Sequence, residues 1–242
     1  VHDSKQDGSR TVLYPSVRWD FNNQWGYIRP KIGVHATYYD LGSFGNQSGR
    51  HVSRILPIFN VDTGMTFERN ANLFGNAYLQ TLEPRLFYNY IPTKSQNDLP
   101  NFDTSENSFS YNQLFRENLY VGNDRINSAN SLTAAVQTRF FNPNNGAELF
   151  RAGIGQKFYF KNDKVLLDGS VGRYERSQSD WVGFAHGKLS NSIHAGFDVH
   201  YNQNESRAES YAATIRYNPE PGKVLSARYK YGRNERIYLQ SD

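Results

Sequence analysis

Apolar and polar residues alternate along most of the chain. In 11–21, TVLYPSVRWDF, the apolar side chains take the odd positions, and in 26–40 they take the even positions. The same two-residue period recurs in 53–69, 77–91, 128–141, 148–160, 193–201, 209–217 and 223–231, and less clearly in 181–189. This period is typical of β-strands that have one apolar and one polar face. It predicts about ten strands of roughly nine to fifteen residues each.

The connections between these segments alternate between short and long. The short ones are rich in Asn, Pro and Gly, as tight turns are: NNQ, RNANLFGN, NPNNG, SNS and NPEPG. The long ones fall at about 41–50, 93–127, 161–179 and 203–208. Outer-membrane barrels have short turns at one end and long loops at the other. The prediction is therefore an all-β fold, an antiparallel up-and-down transmembrane β-barrel segment. A soluble β-sandwich or a lipocalin-like barrel is the alternative.

The two faces of the predicted strands differ in charge. A membrane barrel turns its polar face to the lumen and its apolar face to lipid. The residues predicted to face the lumen are Arg29, Lys31, Arg54, Glu83, Arg85, Arg139, Arg151 and Lys157. The residues predicted to face lipid are Phe59, Val61, Leu86, Val136, Ile154, Phe197 and Ile215. Aromatic residues also cluster near the strand ends, as they do at membrane interfaces.

Composition narrows the choice of protein class. Only 38% of the residues are hydrophobic and the mean hydropathy is −0.73. The 17 Tyr and 16 Phe residues suit pleated surfaces, whereas disordered chains are depleted in aromatic residues. No stretch of about 18 apolar residues exists, which excludes helical membrane spans. The net charge is +4, and the lack of cysteine excludes disulfides and thiolate metal sites within this chain.

One pair of residues in the sequence has the chemistry for catalysis. Asp198 and His200 share a strand face with His194, as a dyad in a barrel hydrolase would. A hydrolase also needs a positioned nucleophile and an oxyanion site, and a polar lumen wall explains these residues equally well. The other histidines lack metal-ligand spacing, and the stretches GSVG and GIG lack the helix that follows a phosphate loop. We therefore predict no catalytic residue, metal, cofactor or nucleic-acid partner.

Two segments go beyond the general pattern of a barrel. They are LQTLEPRLFYNYIP at 79–92 and YNQLFRENLYVGNDRINSANSLTAAVQTRF at 111–140, and VDTGMTFER at 61–69 precedes them. In this order they resemble the central part of the C-terminal barrel in the LptD family of lipopolysaccharide-assembly proteins, also called Imp or OstA. The resemblance extends from about residue 11 to 231 and is weakest at 161–179.

The resemblance implies a transport component rather than an enzyme. In the outer membrane of Gram-negative bacteria, the family barrel of roughly 26 strands inserts lipopolysaccharide into the outer leaflet. The implied partners are lipopolysaccharide, outer-membrane lipid, an LptE-like plug lipoprotein, and a periplasmic Lpt bridge that is reached through a jelly-roll domain. Residues 1–242 are then expected to be a single region, the middle of the barrel, without the jelly roll or the seam strands. A general diffusion porin is the alternative function, ahead of the barrel hydrolase.

The loop at about 93–127 is too long for a passive connector. Its apolar residues are expected to pack inward, as a cap over the lumen and against the plug lipoprotein. The predicted plug contacts are Phe109, Tyr111, Leu114, Phe115 and Arg116. Gly122 is expected to relax the backbone, and Asp124 is expected to pair with Arg125 at the entry to the next strand.

Overall fold

A computed structural model describes residues 7–42, 49–73, 75–107, 110–174, 176–233 and 235–241, and the last range by its backbone alone. These residues form eighteen β-strands and one 3-10 helix, Tyr111–Phe115. The strands are β1 (Gly8–Leu13), β2 (Ser16–Arg18), β3 (Phe21–Asn22), β4 (Gly26–Leu41), β5 (Arg50–Met65), β6 (Phe67–Leu73), β7 (Asn76–Ile91), β8 (Ser105–Glu106), β9 (Tyr120–Val121), β10 (Ala129–Phe141), β11 (Glu148–Tyr159), β12 (Asp163–Val165), β13 (Val171–Arg173), β14 (Trp181–Lys188), β15 (Ile193–Asn202), β16 (Arg207–Glu220), β17 (Lys223–Gly232) and β18 (Glu235–Ser241).

One antiparallel sheet runs through the described chain in sequence order, β1-β4-β5-β7-β10-β11-β14-β15-β16-β17-β18. Strands β2 and β3 continue β1 along β4 in the same register, and β6 continues β5 along β7. The first strand is interrupted at Pro15, which has no N–H to donate to β4. Its carbonyl still accepts a hydrogen bond from the N–H of Val34 at 3.0 Å. This order confirms the predicted all-β, up-and-down antiparallel fold.

Tight turns lie at one end of the sheet and long loops lie at the other. The turns that precede β4, β7, β11, β15 and β17 define the short-turn end, and residues 92–128 and 160–180 define the long-loop end. The predicted long connection at about 203–208 is wrong, because only residues 203–206 separate β15 from β16. Ser206 closes this turn with a φ of 49°, in the left-handed region.

The two faces of the sheet carry different side chains. The inner face is covered near the long-loop end by residues 92–128 and 160–180. The outer face carries large apolar side chains that remain exposed, among them Leu13, Val17, Phe21, Ile28, Ile32, Ile55, Phe59, Leu86, Ile154, Phe197 and Ile215. A soluble β-sandwich would bury such a face against a second sheet. The sheet therefore exposes its apolar face and covers its polar face near the long-loop end.

The hydrophobic core lies between the inner face and the loops that cover it. One cluster joins Leu56 and Ile91 of the sheet to Ile126 of the first long loop. A second cluster joins Tyr39 of β4 to Leu99 of the same loop. These clusters hold the loop on the sheet through apolar contacts, to which the polar contacts described below are added.

Two boundaries differ from the alternation of the sequence. The predicted strand 53–69 is interrupted at Thr66, whose N–H donates to the Trp25 carbonyl at 2.8 Å across the short-turn end. The unclear segment 181–189 forms an ordinary strand, β14. None of the helical turns in the described ranges has the length and apolar character needed to cross a membrane.

Candidate functional site

The densest set of polar contacts lies where residues 92–128, the docked loop, meet the inner face. The loop contains the two-stranded ribbon β8–β9 and the 3-10 helix. Its last part, from Asp124 to Ser128, is buried. Gly122 has a φ of +83°, and a Cβ there would lie 2.7 Å from Asp103 Oδ1, so only glycine fits the turn. The expected backbone role of Gly122 is confirmed.

Asp124 is held by four donors from the sheet and the loop. Its carboxylate is fully buried, and Oδ1 accepts hydrogen bonds from Arg10 Nη1 at 2.7 Å and from the Tyr39 hydroxyl at 2.9 Å. Oδ2 accepts from the backbone N–H groups of Phe102 and Asp103 at 2.8 and 3.0 Å. A buried carboxylate requires such complete pairing. This residue therefore ties the docked loop to β1 and β4.

Arg125 binds backbone carbonyls rather than a carboxylate. Its Nη2 donates to the Leu99 carbonyl and its Nε donates to the Leu167 carbonyl, both at 2.9 Å. The predicted pairing of Asp124 with Arg125 is wrong, because the two side chains are held by different parts of the chain. Arg125 instead joins the docked loop to the second covering segment, 160–180.

Arg54 of β5 reaches the docked loop from beneath. It is 1% exposed, and its Nη1 donates at 2.6 Å to both Gln96 Oε1 and the Asp124 carbonyl. Its Nη2 donates to the Asn123 carbonyl at 2.6 Å and to Thr37 Oγ1 at 3.1 Å. A buried carbonyl without a partner is costly. An arginine of the sheet thus supplies the donors that the loop backbone lacks.

Glu117 anchors a second part of the docked loop. Its Oε2 accepts from the Tyr14 hydroxyl at 2.6 Å, and its Oε1 accepts from Lys31 Nζ at 2.6 Å and from Asn60 Nδ2 at 2.7 Å. Burial alone would raise the pKa of Glu117, but the hydrogen bonds from Lys31 and Tyr14 outweigh burial and lower that pKa. The carboxylate is therefore ionised at neutral pH and holds the loop on β4 and β5.

Asp103 forms the exposed edge of the same ion cluster. Both of its carboxylate oxygens accept hydrogen bonds from Arg10, at 2.7 and 2.8 Å. These hydrogen bonds lower the pKa of Asp103 to about 2. Arg10 therefore bridges two carboxylates of the docked loop, one buried and one half-exposed.

The 3-10 helix packs its apolar residues onto β10, β11 and β14. Leu114 is 0% exposed, and its Cδ1 fills the space beside Gly155, where an added Cβ would lie 2.8 Å away. Thr133 Oγ1 donates to the Leu114 carbonyl at 2.7 Å. The rings of Tyr111 and Phe184 meet with their centroids 4.7 Å apart. The helix is thus seated in the inner face of the sheet.

The segment LEPR lies directly against this helix. Arg85 donates to both carboxylate oxygens of Asp62, at 2.8 and 2.7 Å, and its guanidinium carbon lies 3.9 Å from the ring centroid of Phe115. Glu83, two residues earlier, lies 3.4 Å from Arg139 Nε. The two segments that carry the family resemblance therefore meet in space, with Arg85 packed on Phe115.

The residues predicted to face the lumen lie on the inner face of the sheet. They are Arg29, Lys31, Arg54, Glu83, Arg85, Arg139, Arg151 and Lys157. Most have a carboxylate close by, such as Asp20 beside Arg29 at 3.2 Å and Glu148 beside Arg151 at 3.7 Å. Lys157 is buried where the loops cover β11. That this face lines a barrel lumen stays a prediction.

The residues predicted to face lipid lie on the outer face. They are Phe59, Val61, Leu86, Val136, Ile154, Phe197 and Ile215. Five of them are exposed, whereas Val61 and Val136 are half-buried among their cross-strand neighbours. Their contact with lipid stays a prediction.

The residues predicted to contact a plug have different surroundings. Phe109 lies outside the described residues. Leu114 is buried against the sheet and has no surface for another molecule. Tyr111 and Phe115 are half-buried, and Arg116, the residue that follows the 3-10 helix, is exposed. Contact of Tyr111, Phe115 and Arg116 with a plug stays a prediction.

The residues considered as a hydrolase dyad pair with other groups. Asp198 Oδ2 lies 3.3 Å from His186 Nε2, and His200 Nε2 lies 2.9 Å from Asp180 Oδ2. In the described ranges, no group of three or more His, Asp or Glu side chains could hold a metal ion. Asp198 and His200 are thus each paired with another polar side chain and not with one another, as in a polar wall.

The sequence did not predict three residues whose side chains hold the docked loop in place, called anchors here: Arg10, Gln96 and Glu117. Arg10 stands in a polar N-terminal stretch without a motif, and Gln96 stands among ordinary loop residues. Glu117 lies within FREN, a segment that carries the family resemblance. Its place in that segment is the only feature of the sequence that could have indicated a functional role. Each anchor binds a partner at least 30 residues away along the chain, which local sequence patterns do not reveal.

The fold and this site define a class of protein: a β-barrel wall with an apolar outer face, whose polar inner face is covered at one end by its own long loops. The chain belongs to the LptD family, because the family model described as "LPS transport system D" matches residues 1–242.

Curated relatives named "LPS-assembly protein LptD" agree with this assignment. The chain is 67% identical over 241 residues to the protein of Neisseria meningitidis serogroup A, strain Z2491, and 65% identical to that of Neisseria gonorrhoeae, strain FA 1090. It is 43% identical over 237 residues to the protein of Chromobacterium violaceum. These matches cover 98–100% of this chain but only 29–30% of each relative. The chain thus spans about 30% of the length of these relatives.

Proposed function

We propose that this chain is the barrel wall of an outer-membrane protein that inserts lipopolysaccharide into the outer leaflet of a Gram-negative bacterium. Membership of the LptD family supports a role in lipopolysaccharide assembly rather than catalysis. The structural observation that carries the proposal is the combination of an apolar, exposed outer face with an inner face that is covered by the docked loop. An apolar, exposed outer face suits contact with bilayer lipid, and a covered polar inner face suits a filled lumen.

The region is proposed to be the middle of the barrel wall. Residues 1–242 form one continuous sheet in the described part, and the chain spans about 30% of the length of its relatives. The jelly-roll domain, which leads to the periplasmic Lpt bridge, and the strands that close the barrel would then lie elsewhere in the whole protein. Lipopolysaccharide would leave the barrel at that closing seam, outside this region.

An LptE-like plug lipoprotein is the proposed partner inside the barrel. The support is the half-buried aromatic pair Tyr111 and Phe115 and the exposed Arg116, since aromatic and arginine anchors dominate protein interfaces. A photo-crosslinker at Arg116 of the full-length protein should trap the lipoprotein in cells. The same group at Lys223, in a tight turn at the opposite end, should not. Equal trapping at both positions, or trapping at neither, would contradict this contact.

A general diffusion porin is the competing function. A porin needs a water-filled lumen, whereas two covering segments occupy the long-loop end of the inner face. In planar bilayers the full-length protein with its lipoprotein should therefore conduct little. Steady large conductance from that complex would favour the porin.

The proposed function is tested by depletion in a Gram-negative cell. Lowering the amount of full-length protein should reduce the newly made lipopolysaccharide that a surface-applied label reaches, and a plasmid copy should restore it. An unchanged rate of surface appearance after depletion would contradict the proposal.

A further inference from the structure

A basic cavity lies on the inner face near the short-turn end, away from the docked loop. It has a volume of about 720 Å³ and is lined by β11, β14, β15, β16 and β17. His194 of β15 lies directly opposite Lys188 of β14 on one side and Arg216 of β16 on the other. Arg151 and Arg228 line the same cavity from the strands on either side. Together with His186, six basic side chains thus line one cavity.

Most of these basic groups have no acidic partner in the described chain. The side chains of Lys188, Arg216 and Arg228 form no ion pair or hydrogen bond with another described residue, and His194 Nδ1 is buried without a partner. The inner-face cations elsewhere differ, since Arg29, Arg85 and Arg139 each have a carboxylate within 3.4 Å. Those three cations are thus paired with acids, whereas the side chains of Lys188, Arg216 and Arg228 are not.

The two carboxylates that line the cavity, Glu148 and Asp198, do not pair with Lys188, Arg216 or Arg228. Glu148 lies 3.7 Å from Arg151, and Asp198 lies 3.3 Å from His186. Like charges that face one another on neighbouring strands destabilise a sheet. Among the described residues, Lys188 and Arg216 have no ion-pair partner and are available to an external anion. Arginine and lysine bind phosphate oxygens strongly.

We propose that this cavity binds a phosphate group of lipopolysaccharide as the molecule passes the inner wall. The inference rests on the proposed function and names a site at which this region contacts the cargo. The cavity volume is in the range of small-ligand pockets, which suits a phosphorylated sugar. The Thr214 hydroxyl lines it beside the cations and can hydrogen-bond to a sugar hydroxyl.

The test uses a photo-crosslinker at Thr214 in the full-length protein with its lipoprotein. Purified lipopolysaccharide should be trapped, and the same lipopolysaccharide after removal of its phosphates should be trapped about tenfold less. Excess inorganic phosphate should lower the trapping because it occupies the same cations. Equal trapping of the two lipopolysaccharides, or capture of a protein at Thr214 instead, would overturn the inference.

Substitutions separate charge from fold. The double variant Lys188→Gln/Arg216→Gln should lose most of the crosslink, and Lys188→Arg/Arg216→Lys should keep it. Arg29→Gln removes one cation from the same face and end, outside the cavity, and should leave the crosslink unchanged. If the glutamine pair crosslinks like the parent, the inference fails. The proposed function fails separately, through the depletion experiment, so the two outcomes are distinguishable.

Discussion

At the scale of single residues, Asp124 joins parts of the chain that lie far apart. Arg10 is 114 residues away and Tyr39 is 85 residues away, yet both donate to one carboxylate oxygen. The other oxygen receives two backbone N–H groups of the loop itself. Because every acceptor site of the carboxylate is filled, this residue sets both the shape of the loop and its position on the sheet.

Asp124→Ala should release the docked loop without unfolding the sheet. The change leaves Arg10 and the Tyr39 hydroxyl without their buried partner, and breaking a buried pair in this way costs about 3–5 kcal/mol. Limited proteolysis of the folded full-length protein should then cut within residues 92–128. Asp98→Ala, at an exposed position of the same loop, is the control. Resistance equal to that of the parent would show that Asp124 does not hold the loop.

The ion cluster also predicts how docking depends on pH. The hydrogen bonds from Arg10 lower the pKa of Asp103 to about 2, and the pKa of Glu117 is lowered as well. A lowered carboxyl pKa stabilises the docked state above the unfolded-state pKa, and the stabilisation is lost as pH falls through the folded-state value. Docking should therefore be constant from pH 8 to about 5 and weaken between about pH 4 and 2.

Hydrogen exchange of the loop amides, corrected for the intrinsic effect of pH, measures this dependence. The double variant Asp103→Asn/Glu117→Gln should show weaker protection at pH 7 and little further loss in acid. Protection that declines equally in the parent and the variant would assign the acid effect to other groups.

At the scale of elements, alternation alone predicted the strands and the division of their side chains between two faces. Phe59 and Ile154 fell on one face and Arg54 and Arg85 on the other, because a strand has a fixed period of two. The interruption at Thr66 and the short turn 203–206 were missed, since both depend on backbone contacts between neighbouring strands. The face on which a side chain lies follows from neighbouring residues in the sequence. The contacts that hold the loop on the sheet join residues far apart in the sequence, so local patterns do not reveal them.

Glycines on the inner face illustrate contacts that the sequence pattern hides. The Leu114 side chain sits over Gly155, and the Tyr14 ring sits over Gly33 in the same way. In each case a side chain from another part of the chain occupies the space that the Cβ of a larger residue would need. Alternation marks such a glycine as an inward position but says nothing of what fills it.

Gly155→Ala should loosen the 3-10 helix. The new Cβ would lie 2.8 Å from both Ala135 Cβ and Leu114 Cδ1, and overpacking of this kind costs about 1–3 kcal/mol. Gly183→Ala is a matched control on the adjacent strand, where the nearest atom to a new Cβ is 3.4 Å away. The heat-induced mobility shift of the full-length barrel should fall for the first variant only. Equal shifts for both would contradict the packing of Leu114 against Gly155.

At the scale of the whole molecule, the sheet inverts the arrangement of a soluble protein. Its outer face is apolar and exposed, and its inner face is charged and covered by loops near the long-loop end. We therefore expect a substitution on the outer face to meet lipid and one on the inner face to meet polar partners. Membership of the LptD family gives this inversion its biological setting, the outer membrane.

The most direct test of the two faces of the sheet compares the refolding of Val136→Arg and Gln137→Arg in lipid vesicles, each made in the full-length protein. Val136 pairs with Pro84 and Ile154 on the outer face, whereas Gln137 donates to Glu83 on the inner face at 2.5 Å. An arginine that faces lipid near the bilayer midplane costs about 2–4 kcal/mol, and one that faces a polar lumen costs little. The account predicts a clear loss of folded protein for Val136→Arg and near-parent folding for Gln137→Arg. Equal folding of the two variants, or the reverse order, would contradict it.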